Sequence, residues 1–175
     1  MKKSWKLLGK KATTHPAESW QFQTPQGKDI DILINTGKDF VNVFAMTPER
    51  KILLIQEYYF SATRSILKLV AGRVDPGEKP RLTATRELKE EAGFKGRRMV
   101  SLGYSLRGKY MPMKAYHFLI LDAEKITQQN LEEGEDIQVK LYSISQFKKL
   151  LFAGRFQDMI CEVTAYRALK YLKEL

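Results

Sequence analysis

Three glutamates close together in the middle of the chain could do chemistry as a group. Glu87, Glu90 and Glu91 are separated by three and four residues, so they share one face if this stretch is a helix. Carboxylates crowded on one face raise one another's pKa unless a cation lies among them. Oxygen ligands at this density suit a hard cation such as Mg²⁺ or Mn²⁺. A solvated acidic face, neutralised by the adjacent Arg86, is the alternative that the helix alone leaves open.

A glycine-containing loop precedes this predicted helix. Gly72 and Gly77 flank Asp75 and Pro76, which together are a strong turn signal, and Pro80 stands where the start of a helix accepts proline. A tight loop that enters an acidic helix brings backbone groups and carboxylates to one point. This arrangement suits a metal–diphosphate complex, with the metal on the glutamates and the phosphate oxygens on the metal.

The stretch from residue 72 to residue 94 resembles the Nudix box, G-x5-E-x7-R-E-U-x-E-E-x-G-U, in which U is an apolar residue. Every specified position is filled, by Gly72, Glu78, Arg86, Glu87, Leu88, Glu90, Glu91, Gly93 and Phe94. So many fixed positions make a far more specific signal than a lone glycine motif. From about residue 41 to its end, the chain resembles the ADP-ribose and nucleoside-diphosphate-sugar pyrophosphatase branch of the Nudix hydrolases.

The resemblance implies an α/β fold of the Nudix type, in which a mixed β-sheet lies between α-helices, with extra strands at the N-terminus. It implies hydrolysis of the diphosphate bond of sugars of the ADP-ribose or GDP-mannose type to a nucleoside monophosphate and a sugar phosphate. Two or more Mg²⁺ ions are expected at each site, with Mn²⁺ as a substitute. The implied metal ligands are the carbonyl oxygen of Ala71 and the carboxylates of Glu87, Glu90 and Glu91.

An acidic loop, residues 130–136, resembles the glutamate-bearing loop that relatives close over the diphosphate. Glu135 is the preferred general base, and Glu133 stays open as an alternative because both match that loop. Glu90, one of the metal ligands, is the third candidate catalytic residue. The residues expected to support the site are Gly72, Glu78 and Arg86.

Four further residues have chemistry suited to a nucleotide sugar, namely Trp20, Arg64, Arg107 and Tyr110. Arginines pair with phosphate, and aromatic rings stack on a base or a sugar. Solvation or packing is the alternative role for each of them, as it is for Trp5. The segment Arg107 to Pro112 is predicted to be a basic loop between the strands Met99–Leu106 and Lys114–Leu121.

The charge of the chain suits a polyanionic partner. Thirty Lys and Arg against twenty Asp and Glu give a formal net charge of +10, and such a balance attracts phosphorylated molecules. The basic residues are scattered and no nucleic-acid motif accompanies them, so a small nucleotide sugar is preferred to nucleic acid. A Nudix hydrolase of RNA 5′ ends or dinucleoside polyphosphates remains one alternative, and a non-catalytic nucleotide sensor remains another.

The length of 175 residues predicts a single Nudix domain. Residues 1–40 are interpreted as N-terminal strands that form a homodimer, as the resemblance implies, and residues 41–175 as the catalytic core. The sequence has no apolar run near the roughly twenty residues of a membrane span and no signal-peptide core. Because the single cysteine, Cys161, cannot make an internal disulfide, a cytoplasmic protein is predicted.

Periodicity and turn signals predict the remaining elements. The expected strands before the box are Trp5–Thr13, Ser19–Thr24, Lys28–Asn35, Val41–Thr47 and Lys51–Tyr59. A strand is expected from Ile137 to Tyr142, followed by a helix from a Ser145 cap to Phe152 and a closing helix from Asp158 to Leu175. His117 alternates along a predicted strand and is interpreted as a structural histidine.

Overall fold

The computed structural model describes residues 6–12, 16–59 and 62–175. Trp5 and Thr13, which were predicted to bound the first strand, lie outside the described residues. The chain divides into two compact units. One comprises residues 1–39 and 106–114, and the other comprises residues 40–105 and 115–175.

The smaller unit contains an antiparallel sheet of three strands, in the order β1 (Lys6–Ala12), β2 (Ala17–Gln23) and β3 (Asp29–Asn35). The turn between β2 and β3 is the predicted one. Gly27 adopts a positive φ of 85°, which glycine tolerates without steric cost, and its N–H donates to the carbonyl oxygen of Thr24 at 2.9 Å. The structure therefore confirms strands in the N-terminal part of the chain.

The larger sheet has seven strands, namely β4 (Phe40–Met46), β5 (Lys51–Tyr59), β6 (Arg64–Lys68), β7 (Val70–Arg73), β9 (Arg98–Gly108), β10 (Met111–Leu121) and β12 (Ile137–Ser143). Two short strands, β8 (Phe94–Lys95) and β11 (Glu124–Lys125), pair with each other. The strand order of the larger sheet is β12-β5-β4-β10-β9, with β6 beside β5 and β7 beside β4. Because β10 runs parallel to β4 while β5 and β7 run antiparallel to it, the sheet is mixed.

In the part of the chain that the structure describes, three helices cover the larger sheet, namely α1 (Pro80–Ala92), α2 (Ile144–Phe152) and α3 (Met159–Tyr171). Strand β4 is apolar except for the buried Asn42, and it is buried on both faces, as is typical of a central strand. Val41 and Val43 belong to an apolar cluster with α1, whereas Phe44 belongs to a second cluster with α2 and α3. The predicted mixed sheet between helices is confirmed. Among the described residues, no helix has the length and apolar character that a membrane crossing requires.

The ends of α1 explain why the box folds as a loop followed by a helix. Pro80 opens the helix, and the preceding Lys79 provides no side-chain cap. At the other end Gly93 adopts a left-handed φ of 75°, and its N–H donates to the Lys89 carbonyl at 2.8 Å. A glycine in the left-handed conformation is a common way to end a helix, so Gly93 of the box has a local structural function here.

Several predicted boundaries were wrong, including the end of the closing helix, which is Tyr171 rather than Leu175. The cap of α2 is Ser143 rather than Ser145, because the Ser143 hydroxyl accepts from the Gln146 N–H while the Gln146 side chain accepts from the Ser143 N–H, which is a capping box. Asp158 caps α3 instead of belonging to it. The predicted loop is mostly strand, since β9 and β10 leave only two turn residues between them within the segment from Arg107 to Pro112. Pro112 lies in β10 because proline removes one ladder hydrogen bond without ending a strand.

Candidate active site

A cavity of about 300 Å³ opens above the acidic face of α1. Its lining comes from the loop before the helix, from the helix itself and from the acidic loop. The lining residues are Asp75, Arg86, Glu87, Glu90, Glu91, Asn130, Leu131, Glu132 and Glu135. The size is at the lower end of the range for small-molecule sites, and the convergence of carboxylates marks this cavity as the candidate site.

A larger, shallower hollow of about 610 Å³ lies beside α2. The one carboxylate in its lining, that of Glu174, is paired with Arg50. Its remaining charged groups are the lysines Lys148 and Lys149. Because this hollow lacks a group of carboxylates, its greater size does not make it the better candidate.

Arg86 holds three box glutamates together. Its Nη1 atom lies 2.9 Å from Glu87 Oε1 and 2.8 Å from Glu90 Oε2. Its Nε and Nη2 atoms donate to the two carboxylate oxygens of Glu78 at 3.3 and 3.2 Å. These hydrogen bonds from Arg86 lower the pKa of Glu78. The fixed fork of the guanidinium group thus orients the acidic face of the helix relative to the preceding loop.

Glu87 lies directly against the backbone of the box loop. A Cβ atom at Gly72 would stand 1.9 Å from the carboxylate carbon of Glu87, so only glycine allows this approach. Burial raises the pKa of Glu87 to about 7, and the charges of Glu90 and Glu135 act in the same direction while Arg86 opposes them. A carboxylate in such surroundings favours a cation as its neighbour.

Glu91 is the most buried carboxylate of the box, with 4% of its surface exposed. Its Oε2 atom accepts a hydrogen bond of 3.1 Å from the N–H of Ala71 on β7. Burial raises the pKa of Glu91 to about 8, against the lowering effect of Lys68. Glu91 therefore links the helix to the strand whose carbonyl was predicted to bind metal.

Lys68 is a buried cation that the sequence analysis did not assign to the site. Its surface is 9% exposed, and its Nζ atom lies 2.6 Å from Glu57 Oε2. Burial lowers the pKa of Lys68, but Glu91 and Glu57 outweigh that effect and raise it. A lysine at an inward-facing position between Ile66 and Val70 was the available signal, since a buried lysine requires an ionic partner.

The acidic loop folds back on itself and presents one glutamate to the cavity. The Oε2 atom of Glu135 accepts from the Glu132 N–H at 2.8 Å, and the Glu135 N–H donates to the Glu132 carbonyl at 3.1 Å. Gly134 supplies the left-handed turn residue, with φ of 92°. Glu135 lines the cavity, whereas Glu133 is not among the lining residues.

The carboxylates fit a hard divalent cation, provided that Arg86 moves. Within residues 6–12, 16–59 and 62–175, no three His, Cys, Asp or Glu side chains are grouped closely enough to hold a metal ion, and Arg86 Nη1 bridges Glu87 and Glu90. Burial nevertheless outweighs the lowering effects of Arg86 on Glu87 and of Lys68 on Glu91, so the pKa values of both carboxylates stay raised. An oxygen-only donor set is the one that Mg²⁺ prefers. Cation binding therefore fits these residues once the Arg86 bridge opens.

Comparison with known protein families decides the assignment. The model of the NUDIX domain matches residues 38–162. The chain belongs to the Nudix family. This confirms the hydrolase family that was inferred from the box, and the match extends well beyond the box itself.

Two curated relatives match most of this Nudix chain. The ADP-ribose pyrophosphatase of Bacillus subtilis (strain 168) is 26% identical over 153 residues, which cover 86% of this chain and 80% of that protein. The methanol dehydrogenase activator of Bacillus methanolicus is 42% identical over 136 residues, which cover 77% of this chain. This chain spans 62% of the length of the activator.

A solved structure supports the fold. The crystal structure of an ADP compounds hydrolase superposes with a TM-score of 0.78 and covers 97% of this chain and 92% of its own. The sequence identity is 21%, so this similarity concerns the fold alone. The predicted Nudix fold is confirmed.

None of the predicted substrate contacts is among the residues that line the cavity. Arg64 donates to the side-chain oxygen of Gln157 at 2.5 Å and is not a lining residue. Trp20, Arg107 and Tyr110 belong to the smaller unit. The Nζ atom of Lys10 lies 3.7 Å from the centroid of the Trp20 ring. The Tyr110 side chain is exposed. These four contacts stay predictions.

His117 has the structural role that its position on a strand suggested. Nε2 lies 2.9 Å from Ser105 Oγ and Nδ1 lies 2.7 Å from Thr164 Oγ1. The Thr164 hydroxyl donates to the Ile160 carbonyl, so Thr164 accepts from the histidine and Ser105 donates to it. Burial lowers the pKa of His117 to about 4. The ring is neutral and fully hydrogen-bonded, although the sequence had given no sign of its serine partner.

Proposed function

We propose that this Nudix protein hydrolyses the diphosphate bond of nucleoside diphosphate sugars of the ADP-ribose type in the presence of Mg²⁺ or Mn²⁺. The products are a nucleoside monophosphate and a sugar phosphate. The observation that carries the proposal is the convergence of Glu87, Glu90, Glu91 and Glu135 on one cavity. The curated ADP-ribose pyrophosphatase, which is similar over 86% of this chain, supports the choice of substrate class.

The proposed metal ligands are the Ala71 carbonyl oxygen and the carboxylates of Glu87, Glu90 and Glu91, with two or more ions per site. Bound Mg²⁺ would supply charge neutralisation for the diphosphate and a water of lowered pKa for in-line attack. The hydrogen bond from the Ala71 N–H to Glu91 supports this set, because it keeps the helix next to the strand. The Nη1 atom of Arg86, which pairs with Glu87 and Glu90, becomes available to a phosphate oxygen when those carboxylates take other partners.

Glu135 is the proposed general base. It lines the cavity, and its charge contributes to the raised pKa of Glu87. A water bound near the box glutamates would therefore lie close to the Glu135 carboxylate. Its carboxylate is oriented by the Glu132 N–H, which fixes one oxygen and leaves the other to accept a proton. Glu133, in the same loop, is the natural comparison, because it is not among the lining residues.

A product assay with Mg²⁺ tests the proposal. The substrates are ADP-ribose, GDP-mannose, UDP-glucose, NADH, a dinucleoside polyphosphate and RNA with a 5′ triphosphate. We expect cleavage of the sugar nucleotides to a nucleoside monophosphate. Glu91→Gln should lose nearly all turnover, because it removes a charged ligand while keeping the hydrogen-bond acceptor for Ala71.

Two outcomes would contradict parts of the proposal. Turnover of only RNA or dinucleoside polyphosphates would replace the substrate class and keep the box chemistry. Stoichiometric binding of ADP-ribose without turnover of any substrate would replace the enzyme with a nucleotide sensor. For the base, Glu135→Gln should lose much more turnover than Glu133→Gln, and equal effects would reject the assignment of Glu135.

A second candidate function is the stimulation of a dehydrogenase. The relative named as a methanol dehydrogenase activator has 42% identity to this chain, which is higher than that of the pyrophosphatase relative. The test adds this protein, or its Glu91→Gln variant, to a methanol dehydrogenase and measures the rate of methanol oxidation. Stimulation that Glu91→Gln abolishes would support a role that depends on the box, and no stimulation would reject this candidate.

A homodimer that forms through residues 1–40 is also proposed. The support is the similarity to the sugar-pyrophosphatase branch. Light scattering on the full chain after size-exclusion chromatography should give twice the mass of 20.3 kDa. A monomer at micromolar concentration would reject this assembly.

A further inference from the structure

Gln129, directly before the acidic loop, binds two separate parts of the larger unit. Its Nε2 atom donates to the carbonyl oxygen of Glu91 at 2.6 Å and to the carbonyl oxygen of Ile137 at 3.1 Å. A primary amide has two N–H hydrogens, so this one group uses both of them. Glu91 lies in the last turn of α1, where backbone carbonyls lack helical partners, and Ile137 begins β12.

The next residue strengthens the same attachment. The N–H of Asn130 donates to the carbonyl oxygen of Glu90 at 2.9 Å. The backbone carbonyls of two box glutamates, Glu90 and Glu91, are therefore both bound by the start of the acidic loop. The side chains of the same two glutamates line the cavity, so the loop is fastened to the part of the helix that carries the chemistry.

Gln129 also closes the base of the loop. Because it reaches Ile137, it joins the two ends of the segment that contains Glu132 and Glu135. Within that segment Glu132 and Glu135 are hydrogen-bonded to each other, and Leu131 packs against the apolar cluster of α1. The loop is thus a small folded unit, and hydrogen bonds from Gln129 and Asn130 attach it to the helix.

Charge repulsion opposes this position. The loop contains Glu132, Glu133, Glu135 and Asp136, and it faces the carboxylates of α1 across the cavity. The charge of Glu135 acts unfavourably on Glu87. Like charges at such sites repel, so neutral hydrogen-bond donors are needed to keep the loop in place.

We propose that Gln129 is a positioning residue, whose two hydrogen bonds hold the acidic loop against the box helix and so keep Glu135 at the cavity. This inference rests on the proposed function, because Glu135 is the proposed base. Both hydrogen bonds of the Gln129 amide go to backbone carbonyl oxygens, so Gln129 affects the site through the position of the loop. No other role follows from its contacts.

The test compares three variants of the full chain. Gln129→Met keeps a side chain of similar length and removes both hydrogen-bond donors. Gln129→Glu replaces the donors with carboxylate oxygens that face two carbonyl oxygens. Gln128→Met changes the exposed neighbouring glutamine and is the matched control. With ADP-ribose and Mg²⁺, we expect Gln129→Met to lower kcat by about 10- to 100-fold, the range for groups that orient active-site residues. In Gln129→Met, KM should change less than kcat. The kcat of Gln129→Glu should be at least as low as that of Gln129→Met, and Gln128→Met should have the kcat of the wild-type protein.

Two further measurements separate positioning from a general loss of structure. In a Glu135→Gln background, Gln129→Met should cause little additional loss of kcat, because residues that act through one group are not additive. Amide hydrogen exchange in residues 130–136 should be faster in Gln129→Met than in Gln128→Met, with the exchange of β4 and β5 unchanged.

An unchanged kcat in Gln129→Met, in a chain that is otherwise active, would overturn the inference and leave the proposed function intact. Full additivity with Glu135→Gln would overturn it as well. A chain that turns over none of the substrates would overturn the proposed function and the positioning role together. That result differs from the first two, because the unvaried protein would itself be inactive.

Discussion

Gly72 is the point at which the box loop touches the box helix. A methyl group at this position would stand 1.9 Å from the carboxylate of Glu87. Only the end of a flexible side chain has to move to make room, and Gly72 does not have a positive φ. A substitution therefore disturbs the position of Glu87 much more than the stability of the fold.

We expect Gly72→Ala to fold normally and to lose at least about 10-fold in turnover, because Glu87 is displaced from the ligand set. The measurements are kcat with Mg²⁺ and the melting temperature. Gly108→Ala is the matched control, since a Cβ atom there meets nothing within 4 Å. A Gly72→Ala variant with full activity would show that the contact between this glycine and Glu87 has no function.

At the level of single residues, the sequence predicted the box and not its surroundings. The carboxylates on one helix face followed from spacing, because the helix period is fixed by backbone geometry. Lys68 and Gln129 contact the same site, but their partners lie on other elements of the chain. Spacing along one segment carries no information about such tertiary contacts.

Lys68 links three elements of the larger unit. It lies on β6, its hydrogen-bonded partner Glu57 lies on β5, and it interacts electrostatically with Glu91 of α1. Removing one partner of a buried ion pair leaves an uncompensated charge. We expect Lys68→Met to lower the free energy of unfolding by about 3 kcal/mol, measured by urea denaturation.

Adding Glu57→Leu to Lys68→Met should recover part of that loss, because the unpaired carboxylate is then gone. Lys51→Met, which changes an exposed lysine on β5, should have little effect. If Lys68→Met is as stable as the wild-type protein, the ion pair contributes nothing to stability and the charge of Glu57 is compensated elsewhere.

His117 joins β9, β10 and α3 and makes this junction sensitive to acid. Its pKa is about 4 in the folded chain, where Arg167 adds to the effect of burial, against roughly 6.5 in the unfolded chain. The unfolded chain therefore binds a proton first as the pH falls. The contribution of His117 is complete above pH 6.5 and is lost as the pH falls towards 4.

We expect this group to account for a loss of up to about 3 kcal/mol in unfolding free energy over that interval, at 1.36 kcal/mol per pKa unit. The unvaried chain and His117→Gln are compared by urea denaturation between pH 4 and pH 7. The variant should start less stable and show a shallower decline. Parallel pH profiles would mean that His117 is protonated equally in the folded and unfolded chains.

The elements themselves were largely predictable, and their ends were less so. Strand β5 was predicted from Lys51 to Tyr59, as observed, because its turn and its apolar run were both distinct. The hairpin of β9 and β10 was predicted too short, since Arg107 and Pro112 are unfavourable in strands by themselves and tertiary pairing overrides such preferences.

For the whole molecule, the net charge of +10 is opposite in sign to the acidic cavity. A positive protein attracts an anionic nucleotide from a distance, and salt screens this attraction. With saturating Mg²⁺, we expect kcat/KM for ADP-ribose to fall about 3- to 10-fold as NaCl rises from roughly 10 to 200 mM, with kcat nearly unchanged.

The control for this experiment is an equal osmolarity of sucrose, which changes no electrostatic interaction. A kcat/KM that rises with salt would contradict the prediction. It would mean that repulsion between the substrate and the carboxylates of the cavity outweighs the attraction by the rest of the chain.

The central strand β4 contributes to two apolar clusters, one shared with α1 and one shared with α2 and α3. The residues that line the acidic cavity come from the α1 side and from the acidic loop. Mutational tolerance should therefore differ between the two sides of the sheet. Over evolutionary time, the cluster of α2 and α3 can exchange one apolar side chain for another under selection for stability alone, whereas the α1 side is selected for stability and chemistry at once and should diverge more slowly.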